Sequence, residues 1–169
     1  MALAVAVLTV CSWLTIPFTV PFTLQTFAVF ATLLILGGWK GSAAILVYLL
    51  MGALGLPVFS GFRGGIGHLL GPTGGYLFGF LLTGAAYLLT EKLPGKAWKL
   101  GGLAIGLVLC YLCGTLWFVY GYGSAGTGKT IGYALSVCVL PYIIPDLVKL
   151  YLAWLVYRRV KKAEENNHE

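Results

Sequence analysis

Asp146 and Lys149 stand three residues apart in a stretch of chain that is otherwise apolar enough to enter a membrane. Asp146 is one of two acidic residues before the carboxyl-terminal tail, the other being Glu91, and its neighbours are Pro141, Tyr142, Ile143, Ile144, Pro145, Leu147 and Val148. An ionisable side chain at membrane depth is costly, and it persists where it faces a cavity, a partner or a substrate. On a helix, residues at i and i+3 share one face, so the carboxylate and the ammonium are expected side by side. Such a pair can simply neutralise itself within the fold, but buried pairs are weak evidence for stability. A polar ligand site is the reading that the rest of the chain favours.

The elements that must hold this pair are hydrophobic. The chain has 169 residues, of which 59% are hydrophobic and 9% charged, with 24 glycines and a mean hydropathy of +0.91. A soluble domain carries roughly 25% charged residues, so this composition describes an integral membrane protein. The length suits one transmembrane domain over residues 1–160, followed by a polar cytoplasmic tail over 161–169. The net charge of +6 does not point to nucleic acid, because the basic residues sit in short connections and at the carboxyl end rather than on one face.

Apolar segments run over 2–16, 23–37, 41–56, 74–90, 100–119 and 144–158, each near the ~20 residues that cross a bilayer or somewhat shorter. Breaks fall at Pro17 to Pro21, at Gly37-Gly38-Trp39-Lys40-Gly41, over 57–73, from Glu91 to Lys99, and over 120–143. The expected fold is therefore an all-α bundle of six transmembrane helices. Pro145 suits the first turn of the sixth, which would set Asp146 beside the positive helix end. The piece 129–140 reads as a short helix dipping into the outer side and buried by protein. With both termini cytoplasmic, the inner side holds Lys40, Lys92, Lys96, Lys99, Arg158, Arg159, Lys161 and Lys162. Only Arg63 and Lys129 then lie outside, as the positive-inside rule requires. A signal peptide is set aside, since the opening Met1-Ala2-Leu3 has no charged n-region.

Other motifs are weaker. Gly123-Ser-Ala-Gly-Thr-Gly128-Lys129-Thr130 fits the phosphate-loop pattern, yet that loop works between a buried strand and a helix, and no sheet can be assembled here. The glycine-rich run 61–75 is long for a plain connection and reads as a lid or pocket wall, whereas Gly52 and Gly79 inside helices read as packing positions. Cys110-x-x-Cys113 lies within a spanning segment and reads as packing too. His68 and His168 are isolated. No metal site and no catalytic acid, base or nucleophile set emerges, so an enzyme is not expected. Trp117, Tyr120, Tyr122, Tyr142 and Tyr76 are candidates for an apolar slot, though most are expected to be interfacial belt residues.

Four runs follow one another in order: Pro17-Phe-Thr-Val-Pro-Phe-Thr-Leu-Gln-Thr26, Gly55-Leu-Pro-Val-Phe-Ser-Gly61, Leu70-Gly-Pro-Thr-Gly-Gly-Tyr76 and Pro145-Asp-x-x-Lys149. Together they resemble the BioY family, the biotin-binding S components of energy-coupling-factor (ECF) transporters. The resemblance covers nearly the whole chain. It implies a six-helix S-component bundle in the prokaryotic plasma membrane that captures biotin from outside. It also implies a membrane coupling subunit and two cytoplasmic ATPase subunits as partners, which use the ATP, and no cofactor on this chain.

By the same resemblance, Asp146 and Lys149 contact the vitamin. Thr19, Thr23 and Gln25 would come from the first outer loop, and Arg63, Gly64 and Gly65 from the glycine-rich loop, with Tyr76 as a further wall residue. Ala2 and Ala6 would match the small-residue face that meets the coupling subunit. The family usually has a longer basic leader, and this sequence departs from that pattern at its amino end. Chemically, a carboxylate can accept the two ureido N–H groups of biotin in charge-assisted bonds. Lys149 can donate to the ureido oxygen or pair with the biotin carboxylate, and both options stay open. The alternatives are an S component for another small vitamin and, ranked below it, a non-transport membrane protein. If the phosphate-loop match is fortuitous, Lys129→Ala leaves ATP-dependent uptake of the solute largely intact. Complete loss of uptake in a normally folded variant would restore the nucleotide reading.

Overall fold

A computed structural model describes residues 1–16, 22–122 and 131–166, the Tyr122 side chain excepted. Thr19, His168 and the 123–130 motif therefore lie outside the described residues. The described residues form seven helices: α1 Ala2–Trp13, α2 Gln25–Ala53, α3 Ile66–Leu69, α4 Gly74–Thr90, α5 Lys96–Tyr122, α6 Ile131–Cys138 and α7 Leu140–Asn166. Between α1 and α2 lies a two-stranded antiparallel ribbon, β1 Thr15–Ile16 with β2 Phe22–Thr23, in the register Thr15↔Thr23 and Ile16↔Phe22. By length and composition, α2, α5 and α7 are apolar enough to cross a membrane, and α1 and α4 are shorter apolar helices.

Helix α2 attains its length by folding back on itself. Gly37 sits at φ 78°, ψ 166° within it, a left-handed φ that glycine adopts without steric cost. The Gln25 side-chain amide donates to the Tyr48 hydroxyl at 2.8 Å. Residues 23 apart in a straight helix would be separated by about 34 Å, so 25–36 and 38–53 are two antiparallel arms. They pack tightly at Gly41, where a methyl group would come within 3.0 Å of the Leu33 Cα. Glu91, at the end of α4, accepts the Gly38 N–H at 2.6 Å. That places a carboxylate at the positive start of the second arm, where the helix dipole favours it.

The α4–α5 pair is built on small residues at every fourth position. Gly75, Gly79 and Thr83 on α4 meet Gly102, Gly106, Cys110 and Gly114 on α5 and their neighbouring side chains. A Cβ added at Gly79 would lie 2.8 Å from the Cys110 Cα, and one at Gly106 would lie 2.7 Å from the Thr83 Cα. The backbones thus approach closely, as small-x-x-x-small faces permit between membrane helices. The Thr83 hydroxyl reinforces the contact by donating to the Gly106 carbonyl at 3.0 Å. Gly52 is equally a packing position, since its missing side chain makes room for the buried Phe59 ring.

The structure differs from the sequence expectations at two helices. Helix α7 begins at Leu140, so Pro141 occupies its first turn and Pro145 lies inside it. Asp146 consequently sits in the second turn rather than at the helix start. In α6 only Ala134 and Cys138 are buried; Ile131, Tyr133 and Leu135 are exposed. This helix is not wrapped by protein, and its exposed side chains are ones hydrocarbon can solvate while its backbone bonds itself. The polar residues 161–166 continue α7 as helix. In a helix interior, glycine is ordinarily less stable than alanine by about 1 kcal/mol. Gly101→Ala, with open space around it, is therefore expected to melt at or above the parent protein. Gly106→Ala should lose about 1–3 kcal/mol to overpacking, seen as a lowered thermal midpoint in detergent. Equal midpoints for the two variants would refute the close approach.

Candidate functional site

Four elements converge on Asp146. The i, i+3 spacing on α7 brings the Lys149 Nζ to 2.8 Å from Asp146 Oδ1. From the first arm of α2, the Thr26 hydroxyl donates to the same oxygen at 2.8 Å and accepts from Lys149 Nζ at 3.1 Å. From α5, the Tyr111 hydroxyl donates to Asp146 Oδ2 at 2.6 Å. From β2, the Phe22 ring lies under the ammonium, with the nitrogen 4.2 Å from the ring centroid. Asp146 and Lys149 are only 3% and 5% exposed, so these contacts are made with little competition from solvent. A cation over a desolvated aromatic face is stabilised by the ring quadrupole.

Asp146, Lys149, Thr26 and Tyr111 line a cavity of about 80 Å³, against ~10–15 Å³ for a single water. Thr23, Gln25, Tyr76, Asp146 and Lys149, all candidates from the sequence, line it. The connection between α2 and α4 contributes Phe59, Ser60, His68 and Thr73, so the glycine-rich run does supply part of the wall. The Tyr76 hydroxyl is buried beside the Thr115 hydroxyl and the Cys138 thiol. Burial, with the Arg63 charge as a smaller contribution, holds the His68 imidazole below its ordinary pKa. That ring is therefore neutral at pH 7.

Arg63, Gly64 and Gly65 do not line the cavity; they secure the connection instead. The Phe59 N–H donates to the Arg63 carbonyl at 2.9 Å, and the Gly65 N–H donates to the Gly52 carbonyl at 2.7 Å. A side chain at Gly64 would strike the Leu56 carbonyl. Behind the cavity wall, Gln25 joins Tyr48, whose hydroxyl donates to the Val58 carbonyl at 2.9 Å, and Ser12 of α1 donates to that same carbonyl. Among the remaining aromatic candidates, Tyr142 lines the cavity. Trp117 donates to the Gly71 carbonyl at 3.0 Å, and Tyr120 is 74% exposed. Ala2 and Ala6 are on the exposed side of α1, along an apolar groove between α1 and the second arm of α2.

Sequence reasoning did not single out Thr26, Tyr111 or Phe22. Tyr111 lies within a continuous apolar run, where a tyrosine reads as a belt residue; the available signal was its place beside Cys110 on the small-residue face. Thr26 and Phe22 reach the pair only because the ribbon and the first arm of α2 fold against α7.

An apolar helical bundle with a hydrogen-bonded ion pair on the wall of an internal cavity defines a membrane protein with an enclosed polar site. The comparisons make the family specific. The sequence matches the BioY family over residues 1–166, and the chain belongs to that family. It is 44% identical over 161 residues to the biotin transporter BioY of Thermotoga maritima, covering 94% of this chain and 92% of that one. It is 40% identical over 144 residues to the probable biotin transporter BioY of Pyrococcus horikoshii, covering 84% and 81%. The fold resembles the crystal structure of the S component for biotin from an ECF-type ABC transporter, with a TM-score of 0.80 at 24% identity over 95% of this chain and 88% of that one.

Tyr111→Phe keeps the ring but removes one of three donors to a buried carboxylate. A hydrogen bond to a charged group contributes about 1.5–3 kcal/mol, and the variant is expected to lose an amount in that range in denaturant unfolding in detergent. An unchanged unfolding midpoint would mean that Tyr111 does not support Asp146.

Proposed function

We propose that this chain is the biotin-binding S component of an ECF-type uptake transporter, a substrate-binding subunit with no enzymatic activity of its own. It captures biotin from the outer side and delivers it through a membrane coupling subunit driven by two cytoplasmic ATPase subunits. The observation that carries the reading is the buried Asp146–Lys149 pair at the cavity, in a chain whose relatives are named biotin transporters. The folded-back α2 supports six passes, because it supplies two where length alone would count one. Six passes and the bias of Lys and Arg to one side favour a multi-pass protein of the cell membrane with both ends cytoplasmic.

The hydrogen bonds around Asp146 suggest how the ligand is read. An ionised carboxylate offers about four acceptor positions. Thr26 and Lys149 take two on Oδ1 and Tyr111 takes one on Oδ2, which leaves one on Oδ2 for a ureido N–H. Lys149 already donates to Asp146 and Thr26 and rests on Phe22. Its first task in this reading is to hold the carboxylate in place and balance its charge. Tyr76 and Thr23, together with Gln25 and Tyr142, complete the contact surface we assign. Arg63, Gly64 and Gly65 are assigned to the connection that carries Phe59, Ser60 and His68 to the cavity, and Ala2 and Ala6 to the face that meets the coupling subunit.

Titration calorimetry of the detergent-purified protein tests the reading. Biotin should bind saturably while riboflavin and thiamine stay silent, and Asp146→Asn should weaken biotin by about 1–3 kcal/mol. Silence for biotin in folded protein would mean the solute is misassigned. Normal affinity in a folded Asp146→Asn protein would remove that residue from the site.

A further inference from the structure

Roughly 20 Å along α7 from Asp146, a second cleft opens between the start of α5 and the last turns of α7. Lys96 and Lys99 of α5 face Arg158, Lys161 and Lys162 of α7 across it, with Glu165 as its one carboxylate among the described residues. Five cations in one cleft repel one another unless an anion joins them. Among the described residues, the one ion pair is Asp146–Lys149, so none of the five has a carboxylate within pairing distance. Lys99 is held at the cleft by the Tyr157 hydroxyl at 3.3 Å and lies 5.5 Å from the centroid of that ring. Trp154 packs beside Tyr157, with ring centroids 5.3 Å apart.

The cleft is amphipathic along α7. At alternating spacings of four and three, one stripe of the helix reads Leu147, Tyr151, Trp154, Arg158, Lys161 and Glu165. Leu147 and Tyr151 are exposed, so the stripe passes from open apolar surface through an aromatic step to cations. The apolar run of α5 begins just after Lys99 and that of α7 ends at Tyr157, and these two residues touch. The two helices thus cross from apolar to basic at one level. A free phosphate would satisfy the cations alone. A phospholipid would also cover the apolar part of the stripe, with its chains beside Leu147 and Tyr151 and its phosphate beyond Trp154.

We propose that this cleft is a binding site for the headgroup of an anionic phospholipid. The proposal does not depend on the solute held at Asp146. Native mass spectrometry of the full chain in mild detergent, with equimolar phosphatidylglycerol and phosphatidylcholine, reads it directly. The protein should retain phosphatidylglycerol preferentially, since each cation near an anionic headgroup adds to the attraction. Lys99→Gln with Lys161→Gln should reduce that retention on the order of tenfold. Lys99→Arg with Lys161→Arg should preserve it, and so should Lys40→Gln with Lys92→Gln, an equal charge change elsewhere. Excess inorganic phosphate should displace little of the lipid. Equal retention of the two lipids by the parent protein would overturn the proposal. So would equal losses in the two glutamine pairs, which would indicate a net-charge effect. Ready displacement by inorganic phosphate would mean a free-anion site instead. If the Lys99 and Lys161 double variant does not fold, Lys161→Gln alone, at an exposed position, gives the same readout with a smaller loss.

Discussion

An unpaired charge cannot be held inside a bundle this apolar, and the architecture around Asp146 follows from that constraint. Moving a carboxylate or an ammonium out of water carries a penalty of several kcal/mol per ion even after relaxation. Mutual attraction offsets it only when the remaining lone pairs and protons are also satisfied. Here the satisfaction comes from three separate elements, because α7 alone can supply no more than the pair. Thr26 bridges both partners, Tyr111 takes the second carboxylate oxygen, and Phe22 covers the ammonium. Each of these contacts requires a distant piece of chain to lie against α7, so the polar cluster and the tertiary fold specify one another.

The close helix contacts meet that requirement from the other side. Tyr111 reaches Asp146 from a helix whose next-door residue, Cys110, lies against Gly79 of α4. Thr26 reaches it from an arm whose partner arm is locked by Gly41 and by the Gln25–Tyr48 hydrogen bond. Lipid offers no hydrophobic drive for helices to associate, and packing of small residues takes its place. The glycines therefore act at the site without touching its chemistry. They set the distances at which larger polar side chains meet.

Much of this was legible in the sequence, and the reasons differ by residue. Asp146 and Lys149 stood out because charge in an apolar run is rare and the i, i+3 spacing is local. The break at Gly37 was legible from a glycine pair beside Trp39 and Lys40, and α4 emerged over the same residues as its apolar segment, 74–90. Tyr111 was hidden because a tyrosine in an apolar run has several ordinary explanations, and only the third dimension separates them. The glycine-rich run was legible as a wall but not in its detail: Gly64 and Gly65 serve backbone closure at Leu56 and Gly52, while His68 and Thr73 supply the cavity lining. Pro145 misled because a proline early in a helix usually marks its first turn. Pro141 fills that role, leaving Pro145 one turn further in.

The two charged regions of α7 obey opposite electrostatic rules, and the difference separates the roles proposed for them. At Asp146 the charges balance within the protein, so a bound solute needs no net charge at that point and is selected by hydrogen-bond geometry. Neutral His68 on the same wall adds no further charge there. At Lys96, Lys99 and Arg158 to Lys162 the charges do not balance among the described residues, so attraction is long-ranged, weakly selective for shape and sensitive to salt. A recognition site suits the first arrangement, because binding a neutral group leaves the buried pair intact. An attachment to a charged surface suits the second. One helix can carry both because the apolar residues from Leu150 to Tyr157, about 12 Å of helix, set the basic end apart from the hydrogen-bonded pair.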